Sequence, residues 1–598
     1  MAPNYPMLEE ALRLHRGGDH ARAAELYKSV LCADPQNYDA LYFLGFLCGQ
    51  NRRFDEAQHF VGQAIKLNPT ADAFLMRGFA LQQLDRHEEA VACFNQALAL
   101  NPLFKEALLD RASSLFRLRR YEDAAADYEC LLALDPDFPF ARGNLLFSRL
   151  HCCDWRDFDA QRSAIAAGLA AGKRVIAPFD AKVLALSLEE ELRCARIWVA
   201  DQCPQTAPLW QGELHAHERI RLAYISGDFH AHAAATLTAG LFERHDRRRF
   251  ETIAISFGPD DGSAMRARLM RGFDRFFDVR AKSDAEIAAL MREMEVDIAV
   301  DMMGFTEGCR PGILAARAAP LQVNYLGFPG TMGADTIDYV IADRTVIPEE
   351  QQASYAEKVI YLPDSFMPAD CARAIATRAF TRAELGLPEK GFVFCCFNAS
   401  YKIAPTMFDI WMRLLLNTGG SVLWLADTNE TAKRNLKREA EARGVAGKRL
   451  VFAPRLDSAA DHLARLKAAD LFLDTLPYNA HATANDALWA GLPLLTCMGE
   501  GFAGRVAASL LHAIGVPESI AESPEAYERA ALELARDAGA LSALRAKLER
   551  NRKTHPLFDT ALYTRHLEAA YVALWERHRR GLLPDGITVD RAASGLPR

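Results

Sequence analysis

The residues best suited to chemistry lie in one stretch, Leu473-Asp-Thr-Leu-Pro-Tyr-Asn-Ala-His481-Ala-Thr483-Ala-Asn-Asp486-Ala-Leu-Trp-Ala-Gly491. Residues 471–474 read as a short buried parallel strand and residues 477–479 as a turn. Residues 482–490 read as a helix of good formers, stopped at Gly491-Leu-Pro493. A loop that delivers a helix N-terminus at the carboxyl end of a strand is an anion site. The first amide N–H groups have no partner within the helix, and the dipole favours negative charge there. His481 stands at the mouth, Thr483 adds a hydroxyl, and Asp486, one turn on, can accept from sugar hydroxyls. This set suits a nucleotide diphosphate. It also suits an ordinary strand-to-helix loop with a capping residue, and the stretch alone does not separate the two.

Other candidates stand where strands end. Lys402 follows a strand over 392–397 and offers a point charge opposite the anion loop; Tyr401 precedes it. His230 and His232 follow a strand over 221–226. A histidine near its ordinary pKa of about 6.5 can take a proton at neutral pH, so His232 is the candidate base. The alternative is a structural histidine, or one that orients an acceptor. Thr306, Gly330 and Thr331 are candidate cleft-lining residues. Asp228 and Asp301 read as caps or turn-holders, and Arg505 as a structural ion pair or a substrate contact.

The elements that must position these residues fall into blocks. Residues 1–148 repeat: Pro35, Pro69, Pro102 and Pro136, each after Asp or Asn, are spaced 34, 33 and 34 apart. Twelve residues before each proline stands an alanine (Ala23, Ala57, Ala90, Ala124), preceded by His20, Phe54, His87 and Tyr121, and Gly45 and Gly78 keep the same period. This is the tetratricopeptide pattern, a stacked α-solenoid with a concave groove for a peptide or protein, or else a spacer. Residues 149–217 read as a helical adaptor. From Ile220 strands alternate with helices, predicting two doubly wound parallel-sheet lobes over 218–380 and 381–580. The second ends in a long amphipathic helix, expected to cross back onto the first lobe, and 581–598 read as disordered.

Composition narrows the class. At 598 residues the chain exceeds one core. A net charge of −8 gives no polyanion signal, so no nucleic-acid partner is expected and Arg247–Arg249 read as a solvated face. No run of about 18 apolar residues occurs, so no membrane span is expected. The N-terminal residues lack an apolar signal region. The thirteen cysteines show no zinc spacing and fit reduced thiols, so the expected location is cytoplasmic and no metal is expected.

Several motifs stand in order: Arg221-Leu-Ala-Tyr-Ile-Ser-Gly-Asp-Phe, Leu326-Gly-Phe-Pro-Gly-Thr331, Phe397-Asn-x-x-Tyr-Lys402, Ser421-Val-Leu-Trp-Leu425, Leu473-Asp-Thr475 with His481, Gly499-Glu500 and Arg505-Val-Ala-Ala-Ser509. With the repeats and the lobes, they make the chain resemble the SPINDLY-like protein O-linked N-acetylglucosaminyltransferases, in a compact form without the insert between the lobes of the animal enzymes. The resemblance implies a fold of the glycosyltransferase B type. It implies transfer of sugar, with inversion, from a UDP donor to Ser or Thr of acceptor proteins, without metal or other cofactor. By position it implies that Lys402 meets the diphosphate and that His481, Ala482 and Thr483 form the diphosphate turn. Asp486 would bind the ribose, His462 and Arg465 would hold the uracil, and His232 would be the proposed base. Ala399 and Ala482 depart from a glutamine and a threonine; Ala482 still offers its N–H, whereas Ala399 leaves the sugar open, with N-acetylglucosamine favoured over glucose or another hexosamine. Two other functions compete: a protein N-glucosyltransferase acting on Asn with UDP-glucose, and a non-catalytic repeat scaffold with a relic nucleotide-binding domain. Homo-oligomerisation is left open.

Overall fold

The computed structural model of the chain describes residues 5–203 and 206–591. It divides into two compact units, residues 1–154 and 155–598.

The first unit is helical throughout: Tyr5–Arg16, His20–Ala33, Tyr38–Gln50, Phe54–Leu67, Ala71–Gln83, His87–Leu100, Lys105–Arg117, Tyr121–Leu134 and Ala141–His151. The predicted period reappears in space. His20, Phe54, His87 and Tyr121 each open the second helix of a pair, and the prolines follow its end. Ala23, Ala57, Ala90 and Ala124 have no exposed surface. The glycines are explained by close approach: a Cβ at Gly45 would lie 2.5 Å from Val61 Cγ2, and one at Gly78 would lie 2.5 Å from the Phe94 ring. The core of this unit breaks into small local clusters, as expected where each repeat buries its apolar face only on its neighbours. The unit runs six residues past the predicted boundary at 148, because the helix Ala141–His151 stacks on Tyr121–Leu134.

The second unit opens with the adaptor, helices Phe158–Ala170, Pro178–Ala181 and Leu188–Gln202. The first lobe follows, with strands β1 (Ile220–Ser226), β2 (Phe250–Ser256), β3 (Arg275–Asp278), β4 (Ile298–Asp301), β5 (Leu321–Asn324), β6 (Tyr339–Ala342) and β7 (Lys358–Tyr361). The second lobe has β8 (Val393–Cys396), β9 (Val422–Ala426), β10 (Leu450–Ala453), β11 (Leu471–Leu473), β12 (Leu494–Cys497) and β13 (Ile520–Ala521). Each sheet is parallel, ordered β14-β7-β6-β5-β4-β1-β2-β3 and β10-β9-β8-β11-β12-β13, where β14 is Ile587–Thr588. Parallel strands covered on both faces are buried along their length, as β4 and β11 are and as β1 is from Leu222 onward.

Two expectations about the tail resolve differently. The helix Thr560–Arg579 does return to the first lobe, where Tyr563 Oη meets Tyr325 Oη at 2.6 Å and Glu568 receives His245 Nδ1 at 3.0 Å. Residues 581–598 were expected to be disordered. Residues 581–591 instead carry β14, which pairs with β7 because Val359, Ile360 and Tyr361 would otherwise leave a sheet edge unpaired. Residues 592–598 lie outside the described residues. No described helix is long and apolar enough to cross a membrane.

Candidate functional site

β8 and β11 are neighbours, with Leu471 opposite Phe394 and Phe472 opposite Cys395. The loops leaving their carboxyl ends must therefore meet. Lys402 closes the short turn Ser400–Lys402, and its Nζ donates to the Asn479 carbonyl at 2.9 Å, 3.7 Å from the centre of the Tyr478 ring. Burial pulls its pKa down to about 7, against the attraction of Asp474.

Asp474 is the hub of this loop, a role not assigned from the sequence. It is wholly buried, and burial pushes its pKa up to about 6. One oxygen accepts from the N–H groups of Thr475 at 2.7 Å and Ala480 at 2.6 Å, and from Asn398 Nδ2 at 3.2 Å. The other accepts from Thr496 Oγ1 at 2.6 Å. These bonds pin the turn 475–480 to the strand ends. Asn398 extends the clamp by accepting from Thr483 Oγ1 at 2.5 Å. The Thr483 hydroxyl thus fixes the start of the helix Ala482–Ala490.

That helix begins as predicted. Its first i→i−4 bond runs from Asn485 N–H to His481 C=O at 3.1 Å, so the N–H groups of Ala482, Thr483 and Ala484 precede the ladder. His481 does not cap it with its side chain. Its Nε2 donates to the Ala503 carbonyl at 3.1 Å, and burial holds its pKa well below the usual imidazole range, so the ring is neutral with Nδ1 as its remaining acceptor.

Asp486 is engaged in a way the sequence did not reveal. Arg373, from the segment between the lobes, donates to Asp486 Oδ1 and Asn485 Oδ1, each at 2.5 Å. Arg373 C=O in turn accepts from Trp489 Nε1 at 3.2 Å. His462 Nδ1 lies 2.9 Å from Arg465. The Arg465 guanidinium donates to the Pro454 carbonyl and covers the Phe397 ring at 5.0 Å. The structure therefore gathers Lys402, His481, Ala482, Thr483, Asp486, His462 and Arg465 around the ends of β8 and β11, with Asp486 close enough to His462 to act on its charge.

The first-lobe candidates fare less evenly. His232, not Asp228, caps the helix Ala233–Arg244: its Nδ1 accepts from Ala234 N–H at 3.3 Å, and Asp228 Oδ2 lies 3.3 Å from the same nitrogen. Burial lowers its pKa, although its side chain is 45 % exposed. Thr331 was expected to line the cleft, but it is buried and donates to Glu357 at 2.7 Å, serving its own loop. Gly330 is likewise covered, with Lys182 Nζ of the adaptor 2.4 Å from where a Cβ would stand. Thr306 is half-buried and turns its hydroxyl back to the Met303 carbonyl at 2.9 Å. Tyr401 is half-buried, its ring 6.4 Å from that of Tyr478 and 6.4 Å from that of Phe179, an adaptor residue that sequence reasoning missed. Arg505 forms no ion pair among the described residues; it donates to the carbonyls of Thr345 at 2.6 Å and Gly499 at 3.0 Å, tying the lobes together. Asp301 holds its turn as expected, accepting from Met303 and Gly304 N–H. A separate cluster, His215, His217 and Glu295, brings metal-type ligand atoms within 4.8 Å of one another. Those groups are engaged with Arg221, Arg292 and Asp297.

Fold and site together define a two-lobed α/β protein of the glycosyltransferase B type that follows a tetratricopeptide array along the chain. The chain belongs to glycosyl transferase family 41, whose family model matches residues 194–378 and 372–567. Tetratricopeptide repeat models match residues 14–77 and 75–139. The chain is 34% identical, over 62% of its own length and 39% of the relative's, to the probable UDP-N-acetylglucosamine–peptide N-acetylglucosaminyltransferase SEC of Arabidopsis thaliana. It is 27% identical to the UDP-N-acetylglucosamine–peptide N-acetylglucosaminyltransferase of Caenorhabditis elegans, over 62% and 42% of the two chains. The chain thus spans about two fifths of the length of the curated relatives it matches. A solved mutant O-GlcNAc transferase of Thermobaculum terrenum is similar along 97% of this chain and 98% of its own, at 27% identity and a TM-score of 0.62.

Proposed function

We propose that this chain transfers a sugar, N-acetylglucosamine, from a UDP donor to Ser or Thr hydroxyls of proteins, inverting the anomeric carbon without a divalent cation. One observation carries the reading: the Lys402 ammonium is bonded to the very loop that delivers the three leading N–H groups of the helix Ala482–Ala490. Positive charge and aimed amide dipoles at one point meet the charge that develops on a departing UDP, which is where such stabilisation lowers a barrier. The acceptor hydroxyl forms a bond to the anomeric carbon as the bond to the diphosphate breaks on the opposite side. Its proton goes to His232 Nε2 when the ring takes the tautomer whose Nδ1–H faces Asp228 Oδ2, giving up the Ala234 N–H that Nδ1 otherwise accepts. The lowered pKa keeps that ring neutral at pH 7, the form a base requires. The repeat array binds the acceptor polypeptide.

The test is radiolabelled transfer from UDP-N-acetylglucosamine, and in parallel from UDP-glucose, to proteins of a cell lysate. Wild type labels hydroxyl side chains, and Lys402→Ala abolishes labelling while the fold persists. Labelling by Lys402→Ala at the wild-type rate would remove the lysine from the mechanism. Label on Asn would favour the N-glucosyl alternative, and binding of UDP without any transfer would favour the scaffold.

A further inference from the structure

The first lobe holds a cavity that the proposed reaction does not use. It encloses about 280 Å³ between the end of the adaptor helix Leu188–Gln202 and the short helix Gly312–Ala315. Its walls are largely apolar, with Val199, Phe305, Leu314, Met332 and Ile337 prominent. None of Lys402, His481, Asp486 or His232 reaches it.

One polar group stands out on this wall. Asp301 ends β4 and is 6 % exposed. Its Oδ1 is consumed by the N–H groups of Met303 at 2.9 Å and Gly304 at 3.1 Å. Its Oδ2 has no hydrogen-bond or ion-pair partner among the described residues, yet it is not sealed from probes the size of water. A carboxylate oxygen that opens onto a cavity and meets no protein donor has to be answered from within that cavity. Such an atom is retained at a cavity wall when something in the cavity answers it. A second carboxylate, Asp335, lies exposed at the same cavity, and no Lys, Arg or His is among the described residues that line it. Two carboxylates and no cation select for positive charge, and the apolar walls select for a hydrocarbon body. The size suits a compact molecule: an apolar cavity of about 150 Å³ accepts benzene.

From this geometry we infer that the cavity is a binding site for a small, largely apolar amine, its ammonium group donating to Asp301 Oδ2 and its hydrocarbon part lying against Phe305, Leu314 and Met332. The inference does not depend on the proposed glycosyl transfer.

The test uses the full chain and 2-phenylethylamine as probe, with phenylacetate as its anionic counterpart. Calorimetry and a crystal soaked in the amine are the readouts. The amine is expected in the cavity, its nitrogen within hydrogen-bond distance of Asp301 Oδ2, with phenylacetate not binding. Asp301→Asn should weaken the amine at least tenfold. Ala315→Phe, which leaves Asp301 intact and fills the space, should abolish binding. UDP binding should be unchanged in both variants, which separates loss of the site from loss of the fold. Ordered water alone in the soaked crystal, a cavity filled by the protein's own side chains, or equal amine affinity in Asp301→Asn would each overturn the inference.

Discussion

Lys402 makes the affinity for UDP depend on pH in a way that can be worked out in advance. Its pKa is pulled down to about 7, because burial penalises the ammonium more than Asp474 favours it. A diphosphate placed against Nζ restores the charged form, so the bound pKa rises back toward the ordinary lysine value of about 10.4. Above pH 7 the free protein must then take up a proton to bind. At pH 8 the uptake is roughly 0.9 protons per UDP, and the dissociation constant rises about eightfold between pH 7.5 and 8.5. The phosphates do not contribute in that range, since their last ionisation lies near pH 6. Calorimetry at fixed pH in two buffers of different ionisation enthalpy measures the uptake directly. Lys402→Met should bind UDP weakly with no uptake and a flat profile. A flat profile in wild type, or the same slope in Lys402→Met, would refute the placement of the diphosphate on this lysine. The sign of the unliganded effect also follows. Between pH 7 and about 10.4 the unfolded lysine holds more proton than the folded one, so wild-type stability gains relative to Lys402→Met as pH rises through that window.

Four further outcomes are expected. Asp474→Asn places an amide where donors converge from Thr475, Ala480, Asn398 and Thr496, and should cost roughly 3 kcal/mol in urea unfolding and abolish UDP binding. Arg373→Met frees Asp486 and Asn485, and should weaken UDP about tenfold by calorimetry while leaving the Lys402 proton uptake unchanged. In the repeat array, Gly78→Ala forces a methyl to 2.5 Å from the Phe94 ring and should cost about 1–3 kcal/mol. Gly62→Ala meets only the Arg77 side chain at 3.4 Å and should gain up to about 1 kcal/mol of helix stability; urea unfolding followed by circular dichroism separates the two.

Much of this architecture is local, and local patterns are what a sequence displays. The prolines, Ala23, Ala57, Ala90 and Ala124, and Gly45 and Gly78 specified the repeats, because each repeat contacts only its neighbours and so writes its packing at a fixed period. The helix Ala482–Ala490 was placed to the residue, since good helix formers and a stop at Gly491 are read without knowledge of anything distant. The strands β3 and β14 escaped, because edge strands with mixed polarity carry no sustained apolar run, and β7, between β14 and β6, escaped because its apolar run is only three residues long.

The donor-site candidates were legible as types and positions: a lysine, a histidine and an aspartate at strand ends. Which groups stay available to a ligand was settled only by the tertiary structure. Thr331 looked like a cleft residue until Glu357, 26 positions away, took its hydroxyl. Asp486 looked free until Arg373 arrived from 113 positions upstream, and Asp474 became a hub only when β8, β11 and β12 were set side by side. Sequence alone therefore determined the repeats, the lobes and the chemical kinds at the strand ends. The fold decided which of those groups are spent on one another, because burial and hydrogen-bond pairing depend on distances that chain order does not encode.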